Sequence, residues 1–60
     1  MKTMTGRMKQ HLETVDVRFE KAPDGLSHVS YLGNELIADE RTLGECVWAV
    51  AKQLGEEAPQ

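Results

Sequence analysis

The chain has 60 residues, so it forms one small domain at most, and such a domain buries only about 60% of its unfolded surface. Its single cysteine excludes an internal disulfide, and the absence of a long apolar run excludes a signal peptide or membrane anchor, so we expect a cytoplasmic protein. The net charge is −3, but five of the seven Lys and Arg lie in residues 1–21, and seven of the ten Asp and Glu lie in residues 22–60.

Residues 1–12 form either a basic arm or a short helix. Met4, Met8 and Leu12 are spaced four apart, which favours a helix over about 4–12 with the three side chains on one face. A glycine in the first turn of that helix and weak capping favour a flexible arm instead. Both alternatives stay open at this point.

The first strand and the turn after it are predicted from alternation and turn chemistry. Apolar and charged residues alternate over about 14–21, which is typical of a half-buried strand. The next four residues, Ala22-Pro23-Asp24-Gly25, favour a type I turn closed by a glycine bulge, so we expect Ala22 and Leu26 to flank it. Counting back along both strands then places Phe19 opposite Val29.

The second and third strands are predicted over about 26–32 and 35–39. Gly33-Asn34 between them is typical of a two-residue hairpin turn, which places Tyr31 opposite Leu36. The three strands then form an antiparallel meander with one apolar face. That predicted face consists of Val15, Val17, Phe19, Val29, Tyr31, Leu36 and Ala38.

The last element is predicted as an amphipathic helix over about 43–54, because its apolar residues recur on one side of a helix. Thr42 is typical of an N-cap with Glu45 as its capping-box partner, and Gly55 is typical of the residue that ends a helix. This helix is the natural cover for the apolar face of the sheet.

The predicted architecture is therefore a two-layer α+β domain. It consists of a single βββα unit over 13–55, preceded by the arm or helix of 1–12 and followed by a frayed acidic tail over 56–60. The order of elements resembles, in topology only, double-stranded-RNA-binding domains and the arm-binding domains of integrases. The basic cluster that RNA-binding domains carry before their last helix is replaced here by Asp39-Glu40-Arg41-Thr42.

Two sets of residues are candidates for contact with a partner. Trp48 lies about 130° from the centre of the apolar side of its helix, next to Lys52, so it either makes a second contact inside the molecule or binds a partner. The predicted register also makes Leu32 and Ile37 neighbours on the open face of the sheet, ringed by carboxylates. An apolar centre with a charged rim is typical of protein-binding surfaces.

The sequence contains no phosphate-binding glycine loop, nucleophile elbow or zinc signature. We therefore expect a non-enzymatic module without cofactor or metal, such as an adaptor, inhibitor or regulatory subunit that occupies a surface of another protein. One alternative is a nucleic-acid-associated regulatory protein that docks through Lys2, Arg7 and Lys9 of the basic arm. Another is a homodimer in which a second copy covers the open face or an edge strand.

Overall fold

The computed structural model describes residues 3–56. The elements in chain order are helix α1 (Met4–Glu13), strands β1 (Val17–Lys21), β2 (His28–Leu32) and β3 (Glu35–Glu40), and helix α2 (Leu43–Leu54). The strands form one antiparallel sheet of order β1-β2-β3. The predicted α+β class, the meander and the C-terminal helix are thus confirmed, and the leading segment is helical. Lys2 and most of the predicted acidic tail lie outside the described residues.

The core lies between the two helices and one face of the sheet. Met8 and Leu12 of α1 are fully buried, as are Val47 and Val50 of α2, and all four belong to one cluster that also includes Val17 of β1. Both helices therefore pack on the same side of the sheet. A helix as short as α1 is not stable alone in water, so its burial against α2 and β1 accounts for its formation.

The ends of α2 follow the predicted caps. The Thr42 hydroxyl accepts a hydrogen bond from the Glu45 N–H at 3.1 Å and donates to the Glu45 carboxylate at 3.0 Å. Gly55 ends the helix in the left-handed region at φ +69°, and the N–H of Glu56 then donates to the carbonyl of Ala51 at 2.9 Å. Glycine fits this position because it has no Cβ to clash.

Strand β1 begins later than the predicted range of 14–21. The α1 helix continues to Glu13, and its C-cap Thr14 still has helical backbone angles. Asp16 then adopts φ +69°, an uncommon conformation for a residue other than glycine. The chain becomes extended only at Val17, so the apolar Val15 lies in the connection and is 38% exposed.

The predicted register of the first hairpin is wrong by one residue. Phe19 lies opposite Ser30, not opposite Val29. Because side chains alternate between the faces of a sheet, a shift of one residue moves every side chain of β2 to the other face. The apolar set predicted to face the helix is therefore split between the two faces.

The one-residue shift in register arises because the β1–β2 loop is longer than predicted. A β-turn is present at the predicted position, with the Gly25 N–H donating to the Ala22 carbonyl at 2.8 Å. However, the N–H of Ala22 binds the carbonyl of Ser27, so Leu26 stays in the loop, where its side chain is 79% exposed. The Asp24 carboxylate accepts from the Leu26 N–H at 2.9 Å and so stabilises this longer loop.

The second hairpin combines a confirmed turn with an unpredicted bulge. Leu36 lies opposite Tyr31, as the Gly33-Asn34 turn predicts. Ala38, however, lies opposite Ser30 rather than Val29, which leaves Ile37 as an extra residue in β3.

The two faces of the sheet consequently differ from those predicted. The face that points away from the helices, called here the open face, carries Arg18, Glu20, Val29, Tyr31, Leu36 and Asp39. Leu32 and Ile37, which were predicted on the open face, pack against the core instead. Their predicted placement is therefore wrong.

A buried hydroxyl offers a test of this register. Ser30 is fully buried, and its Oγ has no hydrogen-bond partner among the described residues. We expect Ser30→Ala to raise the free energy of unfolding by about 1 kcal/mol, because it removes a desolvated polar group. Urea unfolding followed by Trp48 fluorescence measures the change. Ser27→Ala in the adjacent loop is the control, and a loss of stability in Ser30→Ala would contradict the expectation.

Candidate functional site

The open face is not covered by any element among residues 3–56. Arg18, Tyr31 and Leu36 form one row across its three strands. The Arg18 guanidinium lies 5.0 Å from the centroid of the Tyr31 ring, and Leu36 is 52% exposed. This row, called here the aromatic row, places a cation, a ring and an aliphatic side chain side by side.

A second row lies next to it and is acidic. Val29 lies at its centre, opposite Glu20 on one side and Asp39 on the other. We call these three residues the acidic row. The Arg18 Nε lies 2.8 Å from the Glu20 carboxylate and so joins the two rows. The open face therefore holds one guanidinium and two carboxylates around an apolar and aromatic centre.

Trp48 lies off the buried side of α2, as predicted, and is 38% exposed. Its indole Nε1 donates to the hydroxyl of Thr5 in α1 at 3.1 Å. Met4, the residue before Thr5 in α1, is 47% exposed. The polar edge of the indole therefore has a partner inside the molecule.

The four predicted protein-contact residues do not form one surface. Trp48 and Lys52 are exposed on α2, whereas Leu32 and Ile37 are half-buried against the core on the inner face of the sheet. Gln53 further ties Ile37 to α2, because its side-chain amide donates to the Ile37 carbonyl at 2.6 Å. Tyr31 and Leu36, which the predicted register assigned to the core, lie on the open face instead.

Two of the three cations predicted to contact nucleic acid, Arg7 and Lys9, lie on a packed helix rather than on a free arm. Arg7 is exposed on α1. The Lys9 ammonium lies 3.3 Å from the Glu13 carboxylate and 5.7 Å from the centroid of the Phe19 ring. Lys2 lies outside the described residues. Of the three residues predicted to contact nucleic acid, Lys9 thus already has a carboxylate partner.

No pocket is found in the described part of the chain, and no group of three or more His, Cys, Asp and Glu there is placed to hold a metal ion. The described helices have 10 and 12 residues, and neither is long and apolar enough to cross a membrane. Comparison with known proteins finds no family model, no curated protein and no solved structure that matches the chain.

Cys46 is fully buried in the core. Desolvation raises the pKa of its thiol above the usual 9.0, and the nearby carboxylates of Glu40 and Asp39 raise it further. The thiol is therefore neutral at physiological pH and lacks the thiolate character that a nucleophile needs.

The raised pKa of the Cys46 thiol predicts a loss of stability in alkali. The unfolded chain ionises this thiol first, so its contribution is complete below the unfolded pKa and is lost as pH rises through the folded one. Urea unfolding between about pH 8 and about pH 10 should show a steeper decline for wild type than for Cys46→Ala. Equal slopes in the two proteins would contradict this assignment.

The contact between Trp48 and Thr5 can be measured by a double-mutant cycle. Thr5→Val removes the acceptor while keeping the shape of the side chain, and we expect a loss of about 1 kcal/mol in the free energy of unfolding. In a Trp48→Phe background the same substitution should cost little, because no donor remains. Urea unfolding followed by circular dichroism compares all four proteins. Additive losses would show that the two side chains are not coupled.

Proposed function

We propose that this chain is a non-enzymatic protein-binding module that acts by occupying a surface of another protein, as an adaptor, inhibitor or regulatory subunit does. This proposal is based on the residues that make up the open face and on their exposure to solvent. Tyr31 lies on the central strand, with Arg18 and the half-exposed Leu36 beside it on the two edge strands. Tyrosine and arginine are enriched among the residues that dominate binding energy, and an apolar centre with a charged rim is typical of protein interfaces.

The local geometry also supports this assignment. Tyr31 lies on the central strand, with a neighbouring strand on either side. Its ring packs against Arg18, and Arg18 is held in turn by Glu20. Side chains that are already ordered lose little conformational entropy when a partner binds. Trp48 offers a second surface, but the polar edge of its indole is already bound to Thr5.

The charges of the open face favour a protein over a nucleic acid. Glu20 and Asp39 flank Val29, and the single guanidinium of the face already pairs with Glu20. A phosphate backbone that approached this face would meet an excess of negative charge. Tyr31 is the one aromatic ring there on which a base could stack.

The decisive test replaces the ring at the centre of the open face. We expect Tyr31→Ser to weaken binding of the partner by about 2 kcal/mol or more, because a central aromatic anchor is lost. Partners are captured from the cells that make the protein, purified, and titrated against each variant by calorimetry. Circular dichroism establishes that each variant is folded.

Leu26→Ser is the matched control, since Leu26 is an exposed apolar residue in the β1–β2 loop and not on the open face. It should bind the same purified partner as tightly as wild type does. Trp48→Ala tests the second surface. If Trp48→Ala loses binding while Tyr31→Ser retains it, the docking site lies on α2 and not on the sheet.

A further inference from the structure

We propose that the segment bound on the open face is a basic amphipathic helix. Its apolar side chains contact Tyr31 and Leu36, and its Lys or Arg side chains contact the acidic row. This inference rests on the proposed function and specifies the chemistry of the partner. The inference is based on three properties of the open face, which are its width, the spacing of its two rows and its charge.

The width of the open face matches one helix. Strands in a sheet lie about 4.8 Å apart, so the axes of β1 and β3 are separated by about 10 Å. An α-helix with its side chains is about 10–12 Å across. On the opposite face α2 packs against β2 and β3, so one helix there covers two strands, and α1 packs against β1.

A second copy of the chain fits the open face less well. A stable interface buries about 800 Å² on each partner. The accessible surface of the protein is 4262 Å², so such an interface would need about a fifth of it, whereas the open face consists of six side chains, of which Val29 is only 8% exposed. Two copies would also repel each other, since each carries a net charge of −3.

The spacing of the two rows matches the repeat of a helix. The rows are two residues apart in β1 and β2, which is about 6.8 Å, and three residues apart in β3, where Ile37 is the extra residue. Residues i and i+4 of an α-helix share one side and are separated by about 6 Å along its axis. A helix aligned with the strands can therefore place an apolar residue over the aromatic row and a basic residue over the acidic row.

The charge of the acidic row selects a basic side chain. Glu20 is paired with Arg18, whereas none of the ion pairs among residues 3–56 involves Asp39. A lysine or arginine that lies over this row can bring its charged end to Asp39, although Val29 at the centre of the row is only 8% exposed and offers the aliphatic stem little surface. An acidic helix in the same position would be repelled.

Model peptides of about 15 residues, a length that supports helix formation, test the inference. One peptide carries leucine and lysine four residues apart on the same side, a second has glutamate in place of lysine, and a third scrambles the first. Each is titrated into ¹⁵N-labelled protein and followed by NMR. We expect only the leucine–lysine helix to bind, with shifts at Val29, Tyr31 and Leu36 and with weaker binding as NaCl rises from about 0.02 to about 0.2 M.

Variants separate the aromatic contribution from the charge. We expect Tyr31→Ser to weaken binding of the leucine–lysine peptide about tenfold and Asp39→Asn to weaken it about fivefold. Glu13→Gln is the matched control for Asp39→Asn, because it removes an exposed carboxylate from α1 on the other side of the sheet. It should leave the affinity unchanged.

Several results would overturn the inference. These are equal binding of the leucine–glutamate peptide, equal effects of Asp39→Asn and Glu13→Gln, shifts centred on Trp48, or no binding of any peptide. A dimer in analytical ultracentrifugation that Tyr31→Ser abolishes would assign the face to a second copy. If the purified natural partner depends on Tyr31 but not on Asp39, the protein-binding function stands and the basic helix is excluded.

Discussion

The packing of α1 against α2 is the interaction on which the rest of the molecule depends. Met8 and Leu12 are fully buried by it, and burial of a side chain of this size stabilises a fold by about 1.5–3 kcal/mol. A chain of 60 residues with one cysteine has few other sources of stability. The interface is closed at both ends by polar contacts, from Trp48 to Thr5 at 3.1 Å and from His11 to Glu56 at 3.0 Å.

This packing explains why one face of the sheet stays open. Both helices belong to one core on the inner face, where Leu32 and Ile37 contact them. Among residues 3–56 no further element remains to cover the outer face. The domain therefore has a helical side that provides its stability and a sheet side that no element of residues 3–56 covers. Alternate residues of the same strands contribute to the two sides, because successive side chains point to opposite faces of the sheet.

Local signals predicted the parts of the fold that depend on neighbouring residues. The bounds of α2, its caps at Thr42 and Gly55 and the Gly33-Asn34 turn were all predicted correctly, because a few adjacent residues determine each of them. The faces of β2 could not be predicted in this way. They depend on whether Leu26 belongs to the strand or to the loop and on the extra residue Ile37 in β3. The composition of the turns does not decide either point, so Val29, Tyr31 and Leu36 were assigned to the core.

The wrong prediction for β2 is informative. The register that would bury the most apolar side chains under the helices is not the register that the fold adopts. With the predicted register, Val29 and Tyr31 would lie under the helices; in the structure Ser30 lies there, with its hydroxyl unpaired among the described residues. Leu32 compensates in part, because the same shift brings it to the core. The domain still leaves a tyrosine and a half-exposed leucine uncovered. Such conflicts between local pattern and global structure are expected at functional or strained positions, which agrees with the binding role proposed for the open face.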